Sequence, residues 1–155
     1  MAIADVTPLT DTAHDILDLR HRRRETAFHQ FVQAAHVQGA VLRPALLESV
    51  LNRRERMGST ALGRGFALTG AWSLCVRRAL VWVGLSEKGL DWDAADGKPV
   101  QLVACVLTPG EGPEEMHFRR LEAVLQALRL QRVRQRLIDK HEPGSLDALF
   151  HEVPR

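Results

Sequence analysis

Apolar positions follow two rhythms along the chain, and the switch between them divides it into helical flanks and a strand-rich middle. From Arg22 to about Gln38, Ala27, Phe28, Phe31, Val32 and Ala35 recur at helical spacing and predict an amphipathic helix closed by Gly39. A second helix is predicted from Arg43-Pro44, where proline suits a first turn. It turns Leu46, Leu47, Val50 and Leu51 inward and sets Glu48, Asn52, Arg53 and Glu55 on the opposite face. The rhythm then changes. Between Arg78 and Glu87, and again from Val100 to Leu107, apolar residues run without interruption, as in strands buried on both faces. The second run stops at Thr108-Pro109-Gly110, and a turn-rich loop, Asp91 to Gly97, separates the two.

Helical spacing returns after Pro113-Glu114-Glu115, a start signal in which carboxylates meet the positive end of the helix dipole. Leu121, Val124, Leu125 and Leu128 form the inner face of that helix, and Leu130, Val133 and Leu137 that of the next, Leu130 to Asp139. Ser145 is placed to cap a short last helix, Leu146 to Phe150. Near the start, Asp15 to Leu19 reads as a short strand. Residues 1–14 are expected to be a lead-in and residues 15–155 a single domain. Helices before and after the strands predict an α/β fold of three layers, with a small mixed central sheet of about four or five strands.

Composition narrows the function classes. At 155 residues, 45% hydrophobic and 26% charged, the chain has enough material for one self-sufficient core. A net charge of +2 gives no global attraction for nucleic acid. Cys75 and Cys105 sit apart in apolar runs, which predicts buried, reduced thiols. No apolar run approaches the ~18 residues of a membrane span, and the first residues lack a signal-peptide pattern, so a soluble, cytoplasmic protein is expected.

Several constellations carry chemistry only weakly. The basic run Arg20-His-Arg-Arg-Arg24 is the candidate for nucleic-acid contact, but it lies at a helix start without interleaved aromatics and reads better as a solvated face. His29 and His36 share a helical face without further ligands at metal spacing, so no metal and no cofactor is expected. Ser59, Ser73 and Cys75 lack a nucleophile-elbow pattern, which sets hydrolysis aside. The stretch from Arg54 to Trp72, RERMGSTALGRGFALTGAW, holds a glycine-punctuated turn feeding a short strand, yet lacks a phosphate-loop lysine and a dinucleotide fingerprint. His117 stands in the first turns of the helix opened by Pro113, where free amides and the dipole favour a neutral imidazole and a nearby anion.

Taken together, Arg54-Glu-Arg-Met-Gly-Ser-Thr60, Gly63-Arg-Gly-Phe-Ala-Leu68 and Asp91-Trp-Asp-Ala-Ala-Asp-Gly-Lys-Pro-Val100 resemble enzyme IIA of the phosphotransferase system. The likeness is to its fructose/mannitol class, nitrogen-regulatory branch included, and covers about Asp15 to Phe150. It implies a strand ending in a proline-histidine pair whose histidine accepts a phosphoryl group from a phosphocarrier protein. Thr69 falls at the proline and Gly70 at the histidine; Trp72 falls where the family has a basic residue. Arg54 matches the family's arginine near the phosphate, and His117 its second, facing histidine. Phosphohistidine chemistry needs an imidazole nitrogen, which Gly70 does not supply.

The expectation is therefore a degenerate enzyme IIA-like regulatory protein acting through a protein partner: a phosphocarrier, a sensor kinase or a transporter subunit. Arg54, Thr69, Gly70 and His117 would be the vestigial site, and Ser59, Thr60, Trp72 and His117 candidate partner contacts. The alternative is an active phosphoryl carrier using His117. On this reading Gly70→His should restore some phosphate acceptance.

Overall fold

The chain is described by a computed structural model covering residues 9, 12–141 and 143–151. Strands β1 (Ala13–Asp18), β2 (Ala61–Gly63), β3 (Phe66–Ser73), β4 (Leu80–Leu90) and β5 (Val100–Pro109) form a mixed sheet in the order β1-β4-β5-β3-β2. β1 runs parallel to β4 and β3 parallel to β5, whereas β4–β5 and β2–β3 are antiparallel. Helices α1 (Arg24–Val37) and α2 (Pro44–Met57) cover one face; α3 (Glu114–Leu128), α4 (Gln131–Lys140) and α5 (Pro143–His151) cover the other. The expected three-layer α/β architecture is the one found.

The uninterrupted apolar runs follow from this sandwiching. Along β4 and β5, Leu80, Trp82, Val103, Cys105 and Leu107 face α1 and α2, and alternate residues Val81, Val83, Leu85, Leu102, Ala104 and Val106 face α3 to α5. With helices on both sides, neither alternate set can be polar. Gly84 marks the closest approach of a helix: a β-carbon there would lie 2.7 Å from Cζ of Phe31, so α1 packs directly on the strand backbone.

Several sequence expectations need correction. β1 begins at Ala13, inside the expected lead-in, and Leu9 is fully buried in the core under α3 to α5. Among α2's expected inner residues, Leu47 and Leu51 are buried but Leu46 is 49% exposed, because the packed stripe is narrower than the apolar one. Leu130 precedes α4 rather than packing within it and is 39% exposed. α5 already starts at Pro143, which leaves Ser145 inside the helix instead of capping it. Pro113 is likewise the residue just before α3, in extended conformation, not its first helical residue. Arg134, on what reads as a polar face, is buried: it stacks on Phe66 and donates to the carbonyls of Leu128 and Arg129 at the end of α3. Cys75 and Cys105 are both buried free thiols as expected, and burial pushes Cys105 up to about 12.

Candidate functional site

Three chain segments meet at the end of β3: β3 itself, the end of β5, and the first turn of α3. Parallel pairing sets Gly70 beside Val106 and Trp72 beside Thr108, so these residues share a face of the sheet, the one covered by α3. Thr108 Oγ1 and His117 Nδ1 share a 2.7 Å hydrogen bond that docks the imidazole on this row. The indole Nε1 of Trp72 donates to the carbonyl of Gly112 at 3.1 Å, tying β3 to the loop that leads into α3. Gly110 closes the same corner by donating its amide to Ser73 at 2.8 Å.

Gly70 has no room for a side chain. A β-carbon built on it would lie 2.2 Å from the carbonyl oxygen of Val106 and 3.0 Å from its carbonyl carbon. The obstacle is backbone, which cannot swing aside as a flexible side chain would. The two strands thus approach here in a way that only glycine permits. The phosphate acceptance expected of Gly70→His therefore requires the strands to move apart.

His117 is 8% exposed. Burial, with the nearby positive charge of Arg120 adding to it, lowers its pKa from the ordinary 6.5 to about 4. The imidazole is neutral at neutral pH, as the helix-start position suggested, but the dominant cause is burial. With Nδ1 engaged by Thr108, only Nε2 is left for other chemistry, on a ring that shows little surface.

The remaining expected site residues separate into two groups. Arg54, in the last turn of α2, is exposed and curls back to donate from Nη1 to the carbonyl of Gly58 at 2.8 Å. Ser59 is exposed and its hydroxyl accepts from the amide of Ala61 at 3.2 Å. Thr60, expected as a partner contact, is instead 7% exposed because it anchors an internal network. Glu55 is also buried, against its expected place on the polar face of α2, and its carboxylate receives the Thr60 amide at 2.8 Å and the Thr60 hydroxyl at 2.6 Å. The indole of Trp92 donates to that hydroxyl at 3.2 Å, and the Thr60 carbonyl accepts the amide of Leu68.

Asp96 completes the clamp from the β4–β5 loop. Its carboxylate accepts amides from Arg64 and Lys98, which hold its pKa below the usual value. The glycine-rich stretch is thus positioned by hydrogen bonds, buried at Thr60 and exposed at Arg64. Thr69 is 2% exposed on the opposite face from Gly70, and among the described residues its hydroxyl has no hydrogen-bond partner.

Sequence reasoning passed over Thr108, read only as a strand stop, although a hydroxyl one strand-end away from a helix-start histidine is a natural partner for it. Of the apolar rim it named Trp72 as a partner contact but passed over Leu74 and Phe118. Trp72, Leu74 and Phe118 are 40%, 74% and 58% exposed and border the loop between β5 and α3. His29 and His36 do not converge: His29 pairs with Glu48, and His36 Nδ1 lies 3.0 Å from the carbonyl oxygen of Val41. In the basic run, Arg23 and Arg24 both approach Glu25. Among the described residues, no helix is long and apolar enough to cross a membrane.

Comparison with known proteins places this geometry. The chain is 28% identical over 154 residues to the fructose-specific EIIA component of Haloferax volcanii, covering 99% of each. Over 143 residues it is 28% identical to the fructose-specific EIIABC component of Bacillus subtilis, of whose length it spans 22%. A nitrogen regulatory protein of Bradyrhizobium diazoefficiens is 31% identical over 88 residues, 57% of each chain. Nitrogen regulatory protein IIA-Ntr from Neisseria meningitidis superposes with a TM-score of 0.77 at 25% identity, over 88% of this chain and 92% of its own. Residues 10–153 match the family described as phosphoenolpyruvate-dependent sugar phosphotransferase system, EIIA 2, and the chain belongs to it.

Proposed function

We propose that this chain is a regulatory member of its family that works by binding a protein partner, without phosphohistidine chemistry at the end of β3. The observation that carries the reading is Gly70, which has neither an imidazole nor space for a β-carbon beside Val106. Ungapped correspondence of Gly65-Phe-Ala-Leu68 with the family pattern supports placing the family's histidine at this position. Loss of the acceptor leaves the protein in one state, resembling the unphosphorylated form of its relatives and working in the cytoplasm.

The surface around the site suits docking. Trp72, Leu74 and Phe118 offer exposed apolar area at the edge of a sheet-and-helix corner held rigid by hydrogen bonds, and aromatic anchors on such a frame are the usual centre of a protein interface. A fold relative, the Escherichia coli enzyme IIA for mannitol, is known in complex with phosphorylated enzyme IIB. For this chain the partners that fit are a phosphocarrier, a sensor kinase or a transporter subunit. A phosphoryl carrier acting through His117 is the competing reading, favoured by that residue's place at a helix start. Its 8% exposure and occupied Nδ1 count against it.

The two readings separate in one experiment. The protein is incubated with phosphoenolpyruvate, enzyme I and a nitrogen-type phosphocarrier, and its intact mass is measured. No added phosphoryl group is expected; an addition that disappears in His117→Ala overturns the proposal.

A further inference from the structure

A second concavity lies near the site, between the start of β4, the end of β5 and α3. Its volume is about 400 Å³, and Arg77, Arg78 and Arg120 all line it. The rest of its wall is Gln38, Leu80, Pro109 and three alanines, so three arginines and, among the described residues, no carboxylate line it. Among the described residues none of the three is in an ion pair.

They are held in place by neutral acceptors instead. Arg78 donates to the carbonyl of Gln38, Arg120 donates from Nε to Thr12 Oγ1 at 3.3 Å, and the Arg77 amide donates to Ala40 at 2.8 Å. The bonds of Arg78 and Arg120 orient those side chains without cancelling their charge, whereas that of Arg77 fixes only its main chain. The other basic clusters differ: the grooves lined by Arg20 to Arg22 also hold Asp15, Asp18 or Glu87.

We propose that this pocket binds the di- or triphosphate group of a small molecule. A guanidinium is a planar fork that matches phosphate oxygens two at a time, and three arginines lining one cavity can hold several oxygens together. A single phosphate brings ~2 negative charges, so a second phosphoryl group is needed to balance three arginines. The volume lies within the usual range for small-ligand pockets, and Leu80, Pro109 and the alanines give an apolar wall for the rest of the molecule. An extended nucleic-acid strand would call for a basic stripe along the surface, which three arginines gathered in one concavity do not make.

The pocket also has a line to the site described above. Arg120 stands one helical turn beyond His117 on α3, and its charge is one of the two influences that disfavour the imidazolium. A polyphosphate seated on Arg120 offsets that charge, so His117 becomes easier to protonate.

The test is titration of the intact chain with inorganic pyrophosphate, orthophosphate and adenosine triphosphate. Calorimetry gives affinity, and amide and imidazole NMR shifts give location. Saturable one-to-one pyrophosphate binding is expected, at least about tenfold tighter than orthophosphate. Shifts should centre on Ala40, Ala79 and Leu80, and the His117 ring should move toward protonation. Arg77→Gln, an exposed change that leaves no known side-chain bond broken, and Arg120→Gln should each weaken binding about tenfold, while Arg22→Gln should not. Tighter adenosine triphosphate binding assigns the apolar wall to the nucleoside, and equal binding assigns recognition to the phosphates; both support the proposal. It is overturned by no saturable pyrophosphate binding, by orthophosphate binding as well, by unchanged affinity in both pocket variants, or by shifts centred on Arg20 to Arg24.

Discussion

Thr108 and His117, nine residues apart, share a 2.7 Å hydrogen bond across the corner where β5 gives way to α3. The bond holds in place an imidazole that burial keeps neutral, and that has a pH signature. Burial and Arg120 hold the folded-state pKa near about 4, against 6.5 in an unperturbed chain. Between these values the unfolded chain takes up a proton that the folded chain does not. This contribution leaves stability level above about pH 6.5 and lowers it as pH falls toward about 4. Denaturant melts from pH 7.5 to 4 should show this slope, and His117→Gln should flatten it. A His117 signal titrating at an ordinary pKa would contradict the account.

Replacing Thr108 with valine keeps the shape and removes the hydroxyl. The expected cost is about 1–2 kcal/mol, since His117 Nδ1 is left buried without its partner. The measurement is a urea denaturation midpoint with an unchanged slope. A loss below ~0.3 kcal/mol would mean that water or another group replaces the hydroxyl.

Glu55 is predicted to matter more than any residue of the glycine-rich turn. Its carboxylate takes both the amide and the hydroxyl of Thr60, and Glu55→Ala strands both donors in a buried place. A destabilisation of about 2–4 kcal/mol is expected. Thr60→Val, which spares the amide bond, should cost less, about 1–2 kcal/mol. Equal effects would place the stabilisation in the hydroxyl alone.

At position 70, Gly70→Ala tests the close approach without introducing chemistry. A methyl group that must displace the Val106 carbonyl should cost about 1–3 kcal/mol. Gly70→His should cost at least as much and remain unlabelled in the phosphotransfer assay. Wild-type stability in Gly70→Ala would show that the strands part easily, and position 70 could then accept a side chain.

Trp72 should separate stability from binding. It is 40% exposed and among the described residues its side chain makes one hydrogen bond, to Gly112, so Trp72→Ala should change stability by no more than ~1 kcal/mol. If the rim is the docking surface, partner affinity should drop by about 2 kcal/mol or more. Affinity for a captured partner that survives this change moves the interface elsewhere.

The sheet and helices were legible because burial on two faces imposes uninterrupted apolar strands, and burial on one imposes helical spacing. Gly70 and His117 could be singled out from motif and order, and the structure brings both to the same corner of the sheet. What stayed hidden has one physical origin: polar residues that are buried because another buried polar group satisfies them. Glu55, Thr60, Arg134 and Thr108 all read as surface or as punctuation. Periodicity records where apolar atoms go and carries no information about pairs such as Glu55 and Thr60. Leu46 shows the converse, an apolar residue on an expected inner face that the packed stripe leaves outside.

The Glu55–Thr60–Trp92 network links segments 37 residues apart in the chain, and each of its atoms is occupied in holding β3 against α2 and the β4–β5 loop. Glu55, Thr60 and Trp92, three of the letters that make this chain recognisable, are therefore dictated by assembly. They would be equally necessary with a histidine at position 70 or with a glycine. A sequence signature of this kind certifies the chassis and is silent about the engine, so the working state of such a protein must be read at the single seat where the reactive atom would ride.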